Sequence, residues 1–294
     1  MINFSIKQFE TKKSLKNYYL LYLKIYGIFK IFLNLFFKQK KSEVLIEILI
    51  TVAQKDFYKL SDCVESLRKN LLHPIKNIYI VAPNSNEIDK IAKELKVIFV
   101  DEKTILNKDE LNINYIVNGK DRSFWLYQEL LNFKAIQKLG TEKYILGFDS
   151  DTILSKKQKF IFDKKVLFNV SDEYTQPYFD IAKKLLNLKQ ITNFSLTSHH
   201  MLYDRDILEE MLGKIQKKYN LDWVKSIINE CDFTKFSCHC EYETYGQYFF
   251  NFYRKDMILE YWFNKTEFKK NKKKNLTNFY YKTISRHHWT EEEK

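Results

Sequence analysis

Two aspartates one residue apart, Asp149 and Asp151, follow the apolar run YILGF (144–148) near the middle of the chain. In an open α/β sheet, ligands bind at the carboxyl ends of the strands, so both carboxylates are expected beside a ligand. Mn²⁺ or Mg²⁺ held by one or two carboxylates bridges phosphate oxygens and acts as a Lewis acid. The turn Asp149-Ser150-Asp151 therefore predicts a metal and diphosphate site in which Asp149 and Ser150 also face the donor. An ordinary acidic turn is the alternative.

Strands and helices that alternate along the chain must position this motif. Apolar and β-branched runs predict strands at 44–53, 76–83, 97–102 and 143–152. Apolar residues at helical spacing predict helices over 56–71, 86–95 and 124–140. Such alternation is typical of a parallel sheet covered by helices. We therefore predict an α/β fold of the Rossmann type, with a mostly parallel sheet, helices on both faces, and Asp149 and Asp151 at one sheet edge.

The positive charge of the protein is concentrated in two short segments. The chain has a net charge of +12, and residues 1–41 hold nine lysines against one acid, Glu10. Residues 264–275 hold six lysines against Glu267, so the remaining body is nearly neutral. Because nucleic-acid binders usually spread positive charge over a folded face, this distribution predicts no nucleic-acid partner. It favours an anionic membrane surface, with solvated tails as the alternative.

Residues 15–37 have a wide apolar face and a narrow polar stripe at helical spacing. Lys24 and Lys30 lie inside the segment and argue against a membrane span. An amphipathic helix in the membrane interface fits this pattern, and packing on the protein's own core is the alternative. The four cysteines and the absence of a signal-peptide pattern favour a reducing compartment. We therefore expect residues 1–42 to hold a cytoplasmic protein peripherally at the inner face of the cell membrane.

Four short segments carry a family resemblance: ILITVAQKD (48–56), FWLYQELL (124–131), GFDSDT (147–152) and CEYETYGQY (240–248). In this order they resemble the GT-A glycosyltransferases of bacterial capsule and lipopolysaccharide synthesis. Glu129 stands where that pattern has a second Gln, and Cys240 stands where it has a Ser. The resemblance implies a GT-A catalytic domain over 43–294, with a nucleotide-binding half over 43–152 and an acceptor-binding half over 153–294.

That resemblance also implies a reaction. The enzyme would use Mn²⁺ or Mg²⁺ to move a sugar from a nucleotide sugar, most often a UDP-sugar, to a glycan or lipid-linked acceptor. The implied donor site comprises Thr51, Ala53, Asp56, Asp101, Arg122 and Gln128. Ordinary turn and capping roles are the alternative for the residues at strand ends. Arg122 lies before a helix N-terminus and suits a diphosphate there, although a surface role is nearly as well supported.

Two acids in the last segment, Glu241 and Glu243, lie in an aromatic stretch. A carboxylate in such surroundings has a raised pKa and suits a general base. In inverting GT-A enzymes an acid well downstream of the Asp-x-Asp turn has that role, so the resemblance favours Glu241 slightly over Glu243 and an inverting reaction. Without a well-placed base, retention is equally consistent with the sequence. A cap or hydrogen-bond anchor is the alternative role for both acids.

Two pairs of histidines are further candidates. The resemblance implies a metal-ligating histidine near the end of the chain, and His287 and His288 match that place. An imidazole suits Mn²⁺, with a surface position as the alternative. His199 and His200 follow a predicted strand, and we expect them to face the acceptor.

Three other functions fit the sequence less well. Zinc is disfavoured because Cys231, Cys238, His239 and Cys240 lack paired C-x-x-C arms, and in a strand Cys238 and Cys240 would point to opposite sides. A nucleotidyltransferase usually grips its triphosphate with a Gly-rich basic signature near the first strand, which ILITVAQKD lacks. A non-enzymatic basic membrane-binding protein would carry positive charge on its folded body, which is nearly neutral.

Overall fold

The structure is a computed structural model that describes residues 13–37, 39–189, 194–267 and 280–287. His288, the lysine run at 269–274 and the first twelve residues of the predicted membrane segment lie outside the described residues. The helices are α1 (Lys13–Phe36), α2 (Leu60–Asn70), α3 (Asn86–Leu95), α4 (Glu102–Ile105), α5 (Ser123–Leu139), α6 (Gln176–Leu186), α7 (Arg205–Tyr219), α8 (Trp223–Glu230) and α9 (Glu241–Phe252).

The strands are β1 (Ile46–Thr51), β2 (Ile75–Ala82), β3 (Ile98–Asp101), β4 (Ile116–Val117), β5 (Lys120–Asp121), β6 (Tyr144–Phe148), β7 (Thr152–Leu154), β8 (Ile161–Phe162), β9 (Lys165–Val170), β10 (His200–Asp204), β11 (Met257–Tyr261), β12 (Asn264–Thr266) and β13 (Thr283–Ser285). Short 3₁₀ turns cover Gln54–Lys59, Lys108–Glu110 and Arg254–Asp256.

A five-stranded sheet in the order β10-β6-β1-β2-β3 forms the centre of the fold. Strands β6, β1, β2 and β3 are parallel, and β10 pairs antiparallel with β6. The central strand β1 is buried along almost its whole length, including Glu47, and its mainly apolar sequence is typical of a strand covered on both faces. The predicted α/β fold with a mostly parallel sheet and helices is confirmed.

Two smaller sheets extend this core, in the orders β11-β9-β8 and β12-β13-β7. The second one matters for the site, because β7 begins directly after Asp151 and β13 ends two residues before His287. Ser285 pairs with Thr152, and the Arg286 amide donates a 2.8 Å hydrogen bond to the Asp151 carbonyl. The end of the described chain is thereby fixed beside the Asp-x-Asp turn.

The predicted helix and strand bounds agree best with the structure where the apolar pattern repeats over many residues. The helix over 86–95 has the predicted bounds, and the helix predicted over 56–71 divides into a 3₁₀ turn and α2. The strand assumed around Cys238 and Cys240 is wrong, because this segment is irregular and Cys240 is the N-cap of α9. The apolar and polar residues there alternate over too few positions to distinguish a strand from a capped helix start.

Helix α1 packs on the domain against β11, with Leu23 and Ile31 buried in the contact. Gly27 lies against the Phe263 ring, at a position where the Cβ atom of any larger residue would come within 2.6 Å of that ring. Among the described residues, no helix combines the length and hydrophobicity needed to cross a bilayer.

Candidate functional site

Strand β6 ends at Phe148 and delivers Asp149 into a tight turn. The Asp149 amide donates to the His199 carbonyl over 3.0 Å, and the Thr152 amide donates to the Asp149 carbonyl over 3.1 Å. His199 itself has φ 52°, in the left-handed region that residues with a side chain seldom adopt. The pairing of β10 with β6, which begins at the next residue, holds His199 in this unfavourable conformation. Backbone strain of this kind is frequent at functional sites.

Asp151 and His287 form a pair at this turn. The Asp151 Oδ2 and His287 Nδ1 atoms are 2.9 Å apart, and both side chains are largely buried. Burial raises the pKa of Asp151, but the hydrogen bond and charge of His287 outweigh it, so this pKa is lowered. Burial lowers the pKa of His287, and the Asp151 carboxylate outweighs it in turn, so this pKa is raised. Both shifts favour an ion pair.

Asp149 lies in a less favourable electrostatic environment. Burial, followed by the nearby charge of Asp151, raises the pKa of Asp149 to about 7. The Tyr242 hydroxyl opposes this shift by donating a 2.5 Å hydrogen bond to Asp149 Oδ1. Two neighbouring carboxylates in a buried turn therefore leave excess negative charge, which a bound cation would neutralise.

The donor set at the turn fits a divalent ion in part. Adjacent ligands of a Mg²⁺-sized ion are about 3 Å apart and opposite ligands about 4.2 Å apart. The 2.9 Å between Asp151 Oδ2 and His287 Nδ1 matches adjacent ligands, and Nδ1 would have to lose the proton of the ion pair to bind the metal. Within the described part of the chain, Asp149 does not join them in a set of ligand atoms that all lie within 4.8 Å, so it would have to move to bind the same ion. A mixed carboxylate and imidazole pair favours Mn²⁺ over Mg²⁺.

A cavity of about 230 Å³ opens beside Asp149. Its walls include the acids Glu129 and Glu173 and the aromatic rings of Trp125 and Tyr178. These two rings are nearly parallel, with an interplanar angle of 21° and centroids 6.4 Å apart. Flat aromatic walls with a few convergent polar groups are typical of a small-molecule site.

Helix α9 supplies side chains to both the cavity and its scaffold. Cys240 and Tyr242 line the cavity, and Tyr242 also holds Asp149. Tyr245 is directed away from it, and its hydroxyl accepts a 2.8 Å hydrogen bond from the Asp204 amide at the end of β10. Gly246 contacts Leu196, and a Cβ atom at this position would lie 2.8 Å from the Leu196 Cβ. The EYETYG sequence is therefore largely explained by packing.

Glu243 is a structural anchor in this arrangement. Its fully buried carboxylate accepts hydrogen bonds from the Ser195 hydroxyl (2.6 Å), the Leu196 amide (2.8 Å) and the Gln247 side chain (2.7 Å). Burial raises the pKa of Glu243 in spite of these bonds. Because these donors fix the carboxylate to the chain segment before β10, the hydrogen-bond anchor considered for Glu243 matches its contacts better than a base does.

Glu129 on α5 lines the cavity together with Asp149 and Glu173, whereas Glu241 lies behind Glu129 and does not line it. The Glu241 amide donates to Glu129 Oε2 over 3.0 Å, and the Asn132 side chain donates to Glu241 Oε1 over 2.6 Å. Thr51 completes the chain by donating to Asn132 Oδ1 over 2.8 Å. Burial and then the charge of Glu241 raise the pKa of Glu129 well above its usual range.

Glu129 was not predicted as a site residue and stood out in the sequence only as a departure from a pattern. The available signal was that Glu129 is the one acid in the sequence of helix 124–140 and lies one turn before Asn132. Glu129, Cys240 and Glu241 also have ligand atoms that lie within 4.8 Å of one another. The four cysteines are free, and we assign no zinc to this group, because burial and the two acids raise the pKa of the Cys240 thiol.

The two histidines predicted to face an acceptor have different surroundings. His199 lines the cavity, its Nδ1 atom lies 2.9 Å from Ser285 Oγ, and its ring centroid is 4.7 Å from that of His287. His200 is buried between Phe148 and other core rings, and its Nε2 atom lies 2.9 Å from Asn169 Oδ1. Only His199 therefore reaches the cavity wall.

The other predicted donor residues lie at or after the ends of strands β1, β3 and β6, or on α5 and its N-cap. Asp101 caps α4 by accepting the Lys103 amide, and Asp56 pairs with Lys59 at 2.7 Å. Arg122 lies between aromatic rings, with its guanidinium carbon 4.3 Å from the Trp125 centroid. Three more residues complete the set: Ala53 precedes the first 3₁₀ turn, Ser150 is half-buried in the Asp-x-Asp turn, and Gln128 is half-buried on α5.

Comparison with known proteins gives a family and weak structural likenesses. A model described as "Family of unknown function (DUF6492)" matches residues 42–294. No curated protein matches the chain. Matching solved structures include mouse xyloside xylosyltransferase 1 in its apo form, with 12% identity and a TM-score of 0.47 over 84% of this chain and 99% of that one.

Two further matching structures are an active-site mutant of LgtC and the bifunctional glycosyltransferase WbbM in its apo form. The LgtC structure has 10% identity and a TM-score of 0.44 over 81% of this chain and 86% of that one. WbbM has 10% identity and a TM-score of 0.46 over 84% of this chain and 46% of that one.

Proposed function

The chain belongs to the family of unknown function DUF6492, and we propose from its site that it is a metal-dependent glycosyltransferase. The proposed reaction moves a sugar from a nucleotide-sugar donor to a glycan or lipid-linked acceptor. One observation carries this proposal: Asp149 and Asp151 emerge at the carboxyl end of β6, where Asp151 meets His287 and Asp149 forms the wall of a cavity.

The donor side of the proposed reaction depends on the turn. A nucleoside diphosphate leaves with negative charge, and a divalent ion held by Asp151 and His287 would supply the Lewis acid that neutralises it. Lys59 adds positive charge nearby, since its charge lowers the pKa of Asp151, and the Arg286 amide fixes the turn by its hydrogen bond to the Asp151 carbonyl. We assign the half-buried Ser150, between the two aspartates, to contact with the leaving phosphate.

The acceptor side depends on the cavity. We assign the acceptor sugar to the Trp125 and Tyr178 rings and the base to Glu129, in place of Glu241 behind it. In an inverting step, the acceptor oxygen forms a bond to the anomeric carbon while the bond to the diphosphate oxygen breaks. The leaving group keeps the electron pair, and the acceptor proton passes to Glu129, whose raised pKa makes its carboxylate a stronger base than an ordinary glutamate.

The proposed biological setting is bacterial surface polysaccharide synthesis at the inner face of the cell membrane. The motif order of the sequence supports this assignment, and so does the basic, apolar segment before residue 42. A lipid-linked acceptor would then be presented at the same surface that holds the protein.

The test is release of nucleoside diphosphate from a panel of nucleotide sugars, UDP-sugars first, by the full chain with and without Mn²⁺. We expect turnover that requires Mn²⁺ and is abolished by EDTA. Asp151→Asn should remove turnover, since it replaces a charged ligand with a neutral one of the same shape. Thermal unfolding with Mn²⁺ and UDP gives a second measure, because a ligand that binds the folded state raises the midpoint.

The matched control is Asp163→Asn, which changes an exposed acid in the turn between β8 and β9. This variant should keep both turnover and stabilisation by Mn²⁺ and UDP. Full turnover in EDTA, or Mn²⁺-dependent stabilisation that survives Asp151→Asn, would contradict the proposed metal site. Pyrophosphate release from a nucleoside triphosphate would instead indicate a nucleotidyltransferase.

A further inference from the structure

Helix α1 directs charged side chains toward the domain and exposes an apolar face, which is the reverse of the usual arrangement for a helix that covers a domain. The usual arrangement buries the apolar stripe and exposes the polar face. Here the polar stripe faces the domain. Lys24 Nζ lies 2.8 Å from Asp172 Oδ2, which follows β9, and Lys30 forms an ion pair with the buried Glu260 of β11.

These inward contacts bind Lys24 and Lys30 of α1 to the domain. Glu260 also pairs with the buried Lys282, so one carboxylate is shared between two lysines. Burial lowers the pKa of Lys30 and of Lys282, and Glu260 is the carboxylate that lies within ion-pair distance of both. Gly27 permits close approach of the helix to Phe263 at the same interface.

The opposite face of α1 is apolar and exposed. Its exposed side chains include Ile25 at 59%, Phe29 at 55% and Phe36 at 68% of full exposure. Among the side chains of this helix that the structure describes, the exposed large apolar ones are Tyr18, Leu21, Ile25, Tyr26, Ile28, Phe29, Phe32, Leu33 and Phe36. At 3.6 residues per turn they cover about 160° of the circumference and about 27 Å of length, with no charged residue among them.

We propose that this exposed face of α1 lies in the surface layer of an anionic lipid bilayer while its polar stripe stays bound to the domain. A contiguous apolar face of this length is costly in water and marks a contact surface. The mixture of Tyr, Phe, Leu and Ile is typical of helices that lie in a membrane interface.

The positive charge around α1 indicates which partner covers its exposed apolar face. Residues 1–41 hold nine lysines against one acid, and the exposed Lys40 and Lys41 follow the helix directly. Two copies of this chain that met through α1 would bring two strongly basic segments together, which is unfavourable. An anionic lipid surface instead attracts each nearby lysine. This inference specifies the surface behind the membrane location in the proposed function, and it does not depend on the reaction.

The experiment is flotation of the full chain with vesicles of phosphatidylcholine, with and without phosphatidylglycerol. The wild-type chain should float with the anionic vesicles. The triple variant Ile25→Gln, Phe29→Gln, Phe32→Gln should lose about tenfold or more of the bound fraction, because the apolar insertion energy is removed while every lysine remains. Its thermal unfolding midpoint should stay unchanged, since all three side chains are exposed.

The control triple variant is Ile98→Gln, Ile116→Gln, Phe252→Gln, which changes exposed apolar residues elsewhere on the domain. It should float like the wild-type chain. The inference is overturned if the α1 variant floats as well as the control. It is also overturned if wild-type chain does not float and light scattering shows a dimer that the α1 variant dissociates. Neither outcome bears on nucleotide-sugar turnover, which is measured without vesicles.

Discussion

The Tyr242 hydroxyl donates a 2.5 Å hydrogen bond to Asp149 Oδ1 across 93 residues of sequence. Tyr242 is on the first turn of α9 and Asp149 follows β6, so this bond ties the helix that lines the cavity to the Asp-x-Asp turn. Both side chains belong to the cavity wall. The orientation of Asp149 is therefore set by a residue from the far half of the chain.

Tyr242→Phe should weaken Mn²⁺-dependent turnover by about 10-fold to 100-fold, the usual effect of removing a hydrogen bond that orients a metal-site carboxylate. Titration with Mn²⁺ in the turnover assay measures it. Tyr219→Phe is the matched control, because it removes a 3.0 Å hydrogen bond to the Lys184 carbonyl away from the cavity. Equal turnover of the two variants would argue against the orienting role.

Gly246→Ala should destabilise the protein in spite of the higher helix propensity of alanine. Its new Cβ would approach the Leu196 Cβ to 2.8 Å, and overpacking of this kind costs about 1–3 kcal/mol. Gly213→Ala in α7 meets no atom within 4 Å and should stabilise the protein by about 0.5–1 kcal/mol. Chemical denaturation of both variants checks the opposite signs. If Gly246→Ala were more stable than the wild-type chain, the prediction would be wrong, and Leu196 would have to move away from the new methyl group at little cost.

Glu129→Gln should change stability in a pH-dependent way. The folded-state pKa of Glu129 is raised by burial, so the folded protein is at no disadvantage below about pH 4.5, where the carboxyl is protonated in both states. As the pH rises through the raised pKa, the wild-type chain loses stability that the neutral glutamine keeps. The difference in unfolding midpoint should therefore grow in favour of the variant as pH increases.

The same variant tests the proposed base. Glu129→Gln should lower sugar transfer by about 10²-fold to 10⁴-fold, since the amide cannot accept the acceptor proton. Glu94→Gln on the exposed face of α3 is the control for both measurements. A stability difference that does not vary with pH, or full transfer by Glu129→Gln, would contradict the role given to this carboxyl.

The stability contribution of Glu210 should depend on pH with the opposite sign to that of Glu129. Hydrogen bonds from Lys214, Tyr248 and Tyr253 lower the pKa of Glu210 to about 2. The wild-type chain should therefore be more stable than Glu210→Gln above about pH 4.5, and this advantage should disappear as the pH falls toward 2. Thermal unfolding across this range measures it. The advantage should also shrink in high salt, because the Glu210 side chain is 40% exposed.

Trp125→Ala should raise the KM for an acceptor sugar by about 3-fold to 10-fold, because an aromatic contact of the usual strength is lost. Donor hydrolysis should stay unchanged. Trp125→Phe should restore part of the affinity, since a ring parallel to Tyr178 remains available. A loss confined to donor hydrolysis would place the donor, and not the acceptor, against these rings.

Much of the site's framework was predictable from local sequence. The buried run before Asp149 predicts its strand, and the alternation of strands and helices predicts a parallel sheet with Asp149 and Asp151 at its edge. His287 was predicted only through a family resemblance, and its distance from Asp151 depends on the pairing of β13 with β7 across more than a hundred residues. The donor roles of Thr51, Ala53, Asp56 and Gln128 stay predictions.

The sequence by itself determined the strands and helices that lead to the Asp-x-Asp turn, because apolar period and turn residues act over a few positions, but it did not determine the irregular segment at Cys238 and Cys240. It also determined that α1 has one polar and one apolar face. Only the tertiary structure decided that Glu129 faces the cavity with Glu241 behind it, and that the polar face of α1 meets Asp172 and Glu260. Those outcomes depend on how distant elements dock, and docking is set by shape and charge on surfaces that local spacing does not encode.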